Sequence, residues 1–361
     1  MLKKEKDETE RPSLDGLRSS RKVALRIVKH YASSLQFADV SLQVDREAVL
    51  DAIKKYSMTY KYEEGNFLAD PHFVLEAVKS AAGALKFADE NLKSDRDFIR
   101  EALKNNGLAL EYVDEGLQSN QDFVLVAVKN NGLALRYADA DLRADREFVL
   151  ECVKRSGLAL QYAGSGLQSD WEIVFQAVKN TGRVLYYADA ELKADRQIVL
   201  EAVKNAGLAL YYADVRLRSD RAIILEAVKS YGWALYYAAS KLQGDREVVL
   251  EAVKNDGRAF FYADPSLRSD SEIVIEAVKS SAVILQYASA NLLTDRRFVL
   301  EVVKANGLAL EYVGVVLQAD REVVLESIKS DSYALKYADV SLRADREFVI
   351  EAEKAGASIL Q

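Results

Sequence analysis

The sequence predicts an all-α solenoid, right- or left-handed, of about 14 tandem two-helix repeats of 25 residues. Three observations carry that prediction. The stretch from Leu142 to Gly166, LRADREFVLECVKRSGLALQYAGSG, aligns without a gap on the next one, LQSDWEIVFQAVKNTGRVLYYADAE. The same frame runs through units beginning at residues 17, 42, 67, 92, 117, 142, 167, 192, 217, 242, 267, 292, 317 and 342 with no insertion or deletion. Inside each unit the apolar residues recur at three- and four-residue spacing, the signature of amphipathic helices. A fixed period overrides the two domains that length alone suggests, so residues 17–361 read as one array in which each unit touches its neighbours. Residues 1–16 are mostly charged and are expected to be a disordered tail.

Taken in order, position 1 of the unit is Leu in 13 of 14 units, with Phe67 the exception. Position 4 is Asp in 12 units and Ser20 or Asn120 in the others, all side chains that accept an orphan N–H of a first helical turn. Pro71 directly follows Asp70, at the one helical site where a missing N–H costs nothing. A first helix therefore starts at position 5. Its positions 7, 8, 9, 11 and 12 are apolar, and 6, 10 and 13 form a wet Glu/Glu/Lys face. It ends near position 13, which is Lys in every unit, and the frequent Gly at position 16 is expected to be a left-handed residue closing it. A second, short helix covers positions 17–22, with Tyr or Phe at position 21 expected in the core. Asp at position 23 is expected to cap the turn into the next unit. Packed at helix–helix distances of roughly 8–10 Å, 14 units would form an elongated body on the order of 110–140 Å along its curve.

The ends of such an array must stop its core. Glu353 at position 12, where the other units carry Val, Ile or Leu, is expected on an exposed face; Arg26 and Ser33–Ser34 play that part near the start.

The motif D-R-E-x-V-L-E-A-V-K-N-x-G-L-A-L-x-Y-A, nearly intact at Asp145–Ala163 and Asp195–Ala213, resembles the bacterial and protist repeat family known as domain of unknown function 4116. Its unit of about fifty residues would span two of the 25-residue units. The resemblance covers nearly the whole chain and implies no activity. It allows, by analogy with bacterial members, a targeting module of a secreted effector.

Composition narrows the function classes. Half of the residues are hydrophobic and 29% are charged, and no apolar run is long enough to span a bilayer. The start shows no targeting segment, and one cysteine excludes an internal disulfide, so a cytoplasmic setting is expected. The net charge of −7 argues against strong binding to nucleic acid or anionic membrane. Catalytic and metal-binding constellations are missing from the sequence: His30 and His72 are the only histidines, and the carboxylates recur in every unit, as structural acids do. No enzyme activity and no cofactor are expected.

Two departures from the repeat stand out. Arg at position 5 in ten units places a cation at a helix N-terminus, which is locally unfavourable, so an acid of a neighbouring unit is expected to hold it, with Asp189 or Glu201 as candidates for Arg196 or Arg221. Position 20 is polar in ten units but becomes Tyr186, Tyr211, Tyr236 and Phe261 in four consecutive ones. Trp233, Arg183 and Arg258 vary position 17, and Trp171 replaces the usual Arg at position 5. Exposed aromatic residues with arginine resemble a protein-binding hot spot. The expected function is a non-catalytic scaffold for a protein or peptide, with a modular single-stranded nucleic-acid binder as the alternative.

Overall fold

The computed structural model describes residues 66–356 together with Arg46, Leu50 and Ile53. His30, Arg26, Ser33–Ser34, Phe37 and the tail 1–16 lie outside the described residues. The chain divides between Gln168 and Ser169 into two compact bodies, each described here by itself. In both, the described residues are helical throughout, and every unit repeats the same three segments. The structure is thus an all-α solenoid repeat.

The long helix of each unit spans positions 5–14, as in Arg196–Asn205 and Arg221–Ser230. Its start follows from local chemistry. The Asp195 carboxylate accepts the N–H groups of Gln197 and Ile198, and Asp70 accepts those of His72 and Phe73 with Pro71 at the first turn. Position 15 is extended and ends the helix, with its N–H donated to the position-11 carbonyl, as Ala206 does to Ala202. A 3-10 helix follows over positions 16–21, as in Gly207–Tyr212. The expected second α-helix is therefore a tighter one, with three residues per turn. A third segment, read from sequence as a plain turn, is a short helix around position 1. Asp at position 23 caps it: Asp139 accepts from Asp141 and Asp214 from Arg216. The N–H of position 23 returns to the carbonyl of position 2 in the same unit, Asp214 to Lys193 at 2.9 Å, and closes the unit on itself.

The glycine at position 16 corrects an expectation. Among the described glycines positive φ occurs only at Gly166 and Gly356, so Gly107, Gly182, Gly207 and their equivalents are not left-handed caps. They are small because the 3-10 helix presses on the long helix of the next unit. A Cβ on Gly232 would lie 2.5 Å from the Ala252 carbonyl oxygen, and Gly107, Gly182 and Gly207 are tighter still against the same position. Alanine at position 11 belongs to the same close approach.

The core is built from positions 7, 8, 11, 12, 18 and 19. In one unit these are Ile198, Val199, Ala202, Val203, Ala209 and Leu210, all without solvent exposure. Cys152 fills one position 11 as a small buried apolar residue, and burial pushes its thiol up to about 12. It is expected to react with a thiol reagent only on unfolding; rapid labelling of the native chain would contradict its sealed position. Position 21 is a second correction. Tyr162, Tyr212 and Tyr237 are half-buried, and Tyr287 is exposed, because Ala and Leu at positions 18 and 19 already close the interface. Glu353 is exposed, as expected of a carboxylate at position 12.

Two polar devices join successive units. In the first, the side chain at position 14 bridges to the unit before it. Asn205 Oδ1 accepts the Gly182 N–H at 2.7 Å while its Nδ2 donates to the Lys179 carbonyl at 3.2 Å. Asn130 does the same to Gly107 and Lys104 in the first body, at 2.7 Å each. The clasp satisfies both the first N–H of a 3-10 helix and a carbonyl left over at a long helix's end.

The second device answers the arginine question. Arg at position 5 pairs with the capping Asp of the next unit, not with Asp189 or Glu201. Arg196 Nε lies 2.6 Å from Asp220, and Arg221 reaches Asp245 at 2.8 Å and Glu247 at 2.5 Å. Arg246 pairs with Asp270 and Glu272, and Arg296 with Asp320 and Glu322. Each capping carboxylate thus serves two units: Asp245 Oδ1 accepts from its own helix and from Arg221, and Oδ2 accepts from Arg221 alone. Where the cap is the neutral Asn120, Arg96 lies over the Phe123 ring instead, at 4.9 Å. An Arg221→Ala, Asp245→Ala double-mutant cycle is expected to return a small favourable coupling, since the pair is partly exposed; zero coupling would remove the ladder from the account of stability.

The same arginines shape the acid response. Hydrogen bonding from Arg221 and Arg296 holds Asp245 and Asp320 below the ordinary carboxylate range, and Arg258 brings Asp256 down to about 2. A depressed folded-state value contributes stability that is present above the unfolded value, about 4, and lost as pH falls through the folded one. Urea midpoints followed by circular dichroism should hold steady from neutrality to about pH 4 and drop towards pH 2. A midpoint unchanged down to pH 2 would contradict these pairings.

Candidate functional site

The aromatic run lies entirely within the body 169–361. Tyr186, Tyr211 and Tyr236 each begin the last pair of their 3-10 helices and are 56%, 54% and 58% exposed; Phe261 is 39% exposed. They do not stack directly on one another. Each packs edge-to-face on the position-21 ring of the next unit: Tyr186 on Tyr212 at 5.2 Å, Tyr211 on Tyr237 at 5.4 Å, Tyr236 on Tyr262 at 5.1 Å and Phe261 on Tyr287 at 4.8 Å. The tyrosines also contact the ring beside them in sequence, as Tyr211 does Tyr212 at 5.1 Å. The result is a zigzag of rings with perpendicular contacts, a geometry favoured by the ring quadrupole. Burial, with neighbouring tyrosines adding to it, raises the Tyr237 hydroxyl above its ordinary range, so it stays a neutral donor.

Cations stand beside the rings. Lys193 Nζ lies 5.7 Å from the Tyr186 ring centre, and Arg218 sits 5.8 Å from Tyr237 while donating to the Tyr211 carbonyl. Both occupy position 2, Lys193 of the unit after Tyr186 and Arg218 of the unit that holds Tyr237. Trp233 joins the strip from one side, packed on Tyr262 at 5.5 Å; its indole N–H donates to Asp256, and Arg258 covers its face.

Of the residues singled out from the sequence, the structure brings together Tyr186, Tyr211, Tyr236, Phe261, Trp233 and Arg258. Trp171 stands elsewhere, 39% exposed at the start of a long helix and stacked on Phe175 at 4.8 Å. Arg183 is exposed at position 17 and shares no described contact with the rings. The sequence reading missed the rims of Tyr212, Tyr237 and Tyr262 and the cations Lys193 and Arg218. A visible signal was the doubling of aromatics at 186–187, 211–212, 236–237 and 261–262.

Of the lysines at position 13, which invite a polyanion reading, several are neutralised locally. Lys104, Lys229 and Lys254 pair with the glutamates three residues earlier at 3.0–3.1 Å. Among the described residues no cluster of three or more His, Cys, Asp and Glu side chains is gathered to hold a metal ion, and no helix is long and apolar enough to cross a membrane.

Searches among curated proteins and solved structures return no match. A family profile described as Domain of unknown function (DUF4116) matches residues 20–63, 70–118, 95–143, 145–193, 195–243, 245–293, 272–318, 295–343 and 320–361. Each match covers about two units, and those starting at 70 and 95, or at 295 and 320, are offset by one unit. Over residues 190–269 the short helix also alternates from one unit to the next. The short helix is α over Ala190–Lys193, 3-10 over Val215–Ser219, α over Ser240–Gln243 and 3-10 over Pro265–Ser269. Motif and period agree along the array, and the chain belongs to the DUF4116 repeat family.

Proposed function

We propose that this chain is a non-catalytic scaffold that binds a protein or peptide along the aromatic strip of residues 186–287. The observation that carries the reading is the exposure of Tyr186, Tyr211 and Tyr236, each more than half open to solvent although the same position is polar in ten other units. Large rings held at low entropic cost are what peptide-binding surfaces use. The fold supports them on a fixed ladder of 3-10 helices, so little ordering is left for the moment of binding.

A Y186Q/Y211Q/Y236Q/F261Q variant tests the proposal. Its circular dichroism should match the wild type and its melting temperature fall only modestly, because the replaced rings lie outside the core and give up only their edge-to-face contacts. Random peptides displayed on phage should yield families that hold the wild type and lose about tenfold or more on the variant. A selection with no strip-dependent family would defeat the proposal.

Single-stranded nucleic acid is the second reading, favoured by stackable rings beside Lys193 and Arg218 and opposed by the net charge of −7. Salt-sensitive, submicromolar binding of single-stranded RNA in an anisotropy titration would put it first.

A further inference from the structure

We infer that the aromatic strip receives an acidic, proline-rich segment in polyproline II conformation, with one turn of the ligand on each repeat. The inference rests on the strip being the binding surface proposed above and adds the chemistry of what it binds. Its first ground is spacing. Tyr186 and Tyr211 are linked through Tyr212 by two ring contacts of 5.2 and 5.1 Å. Those two exposed rings therefore stand no more than about 10 Å apart, and contacts of 5.4 and 5.0 Å through Tyr237 set the same limit for Tyr211 and Tyr236, in keeping with the roughly 8–10 Å at which helices pack. A polyproline II helix has three residues per turn and a rise of about 3.1 Å, giving a pitch of about 9 Å. A β-strand presents the same face about every 6.7 Å. An amphipathic helix needs a broad apolar groove for anchors three and four residues apart, where this site offers one line of rings.

The second ground is chemistry. Aromatic rings pack against prolines, and a polyproline II backbone has no internal hydrogen bonds, so its carbonyls are free for tyrosine hydroxyls.

The third ground is charge. In the four connecting segments that follow the strip's rings, 189–193, 214–218, 239–243 and 264–268, five cations stand against four carboxylates, one of which, Asp214, Arg216 holds at 2.8 Å. The corresponding segments 89–93, 114–118 and 139–143, which border no aromatic strip, hold six carboxylates against two cations. The chain is acidic overall, yet the segments beside the rings carry a slight excess of cations. Lys193, Arg218 and Arg268 share position 2, the place from which the first two approach the rings. Such a border complements glutamates and aspartates spaced between prolines.

The test is an anisotropy titration of labelled peptides made of two, four or six proline–proline–glutamate triplets against the full chain. Affinity should rise about tenfold or more from two triplets to four, as four rings become covered, and then level off. The quadruple Gln variant should lose about tenfold or more, and added salt should weaken binding. Equal binding of a lysine-containing counterpart, equal binding by the variant, or a steady gain from four triplets to six would overturn the inference. The display selection separates the two levels. Strip-dependent families without proline or acid, with the triplet peptides inert, overturn the ligand chemistry and leave the surface standing. No strip-dependent family and inert triplets overturn both.

Discussion

A Val228→Glu substitution is expected to split the cooperative unfolding of the array. Val228 stands at position 12 with no solvent exposure, sealed between its own 3-10 helix and the neighbouring units. A carboxylate there has no cation to meet and must either lose its charge or open the interface. The cost is about 4 kcal/mol, at the upper end for a single substitution. In a repeat protein that cost falls on one place. Distant units keep their neighbours, so urea denaturation should become biphasic and limited proteolysis should cut near the altered unit. Glu353 supplies the contrast: the same residue type at the same position is exposed in the last unit, and Glu353→Val should change stability little. A single transition within about 1 kcal/mol of wild type would mean that position 12 is not sealed.

The second large effect is expected from Gly207→Val. A Cβ on Gly207 would run into the Ala227 carbonyl oxygen and lie 2.8 Å from Tyr231 Cβ. Two backbones meet there, so no flexible side chain can yield. The 3-10 helix must lift off the next unit, straining the contact between the Gly207 N–H and Ser230 Oγ. A loss of about 3 kcal/mol is expected in urea denaturation, against less than about 1 kcal/mol for Gly244→Val, whose nearest neighbour would be 3.5 Å away. Equal effects at the two glycines would show that crowding is not what position 16 demands. Ala82, Ala282 and Ser332 occur naturally at that position, so the interface accepts a small side chain when its surroundings are adjusted. At Ala282 the adjustment is visible: Ser281 donates to Val278 and not to the position-11 carbonyl.

Much of the architecture was legible because its determinants are local. A capping Asp, a proline one residue later and an apolar stripe act within one turn of chain, so Asp70–Pro71 fixed the phase of every long helix. Glycine misled because two different demands select it. A left-handed cap and a close backbone approach look alike in sequence, and the atom that decides between them is the carbonyl of Ala227, twenty residues beyond Gly207. The arginines misled in the same way. That Arg221 needed an acid followed from its place in the helix, but which acid depended on how far one unit is shifted along the next. Tyr186, Tyr211, Tyr236 and Phe261 were legible as exposed because the same position is polar elsewhere. The rings between them were not, since tyrosine at position 21 suits a core and a rim equally. Lys193 and Arg218 are ordinary surface cations until the turn of the chain brings them to the rings.

The Asn205 clasp and the Arg221–Asp245 pair set the terms on which a chain like this can change length during evolution. The clasp joins residues 23 and 26 apart, and the ion pair joins residues 24 apart. Gene duplication that copies a whole module, or a doublet of them, hands each new junction a full set of partners. A slip of one codon leaves every junction it touches with the wrong side chain opposite it. Copy number is therefore free to drift while the reading interval is not, which explains how fourteen units can diverge in sequence without gaining or losing a single residue between them.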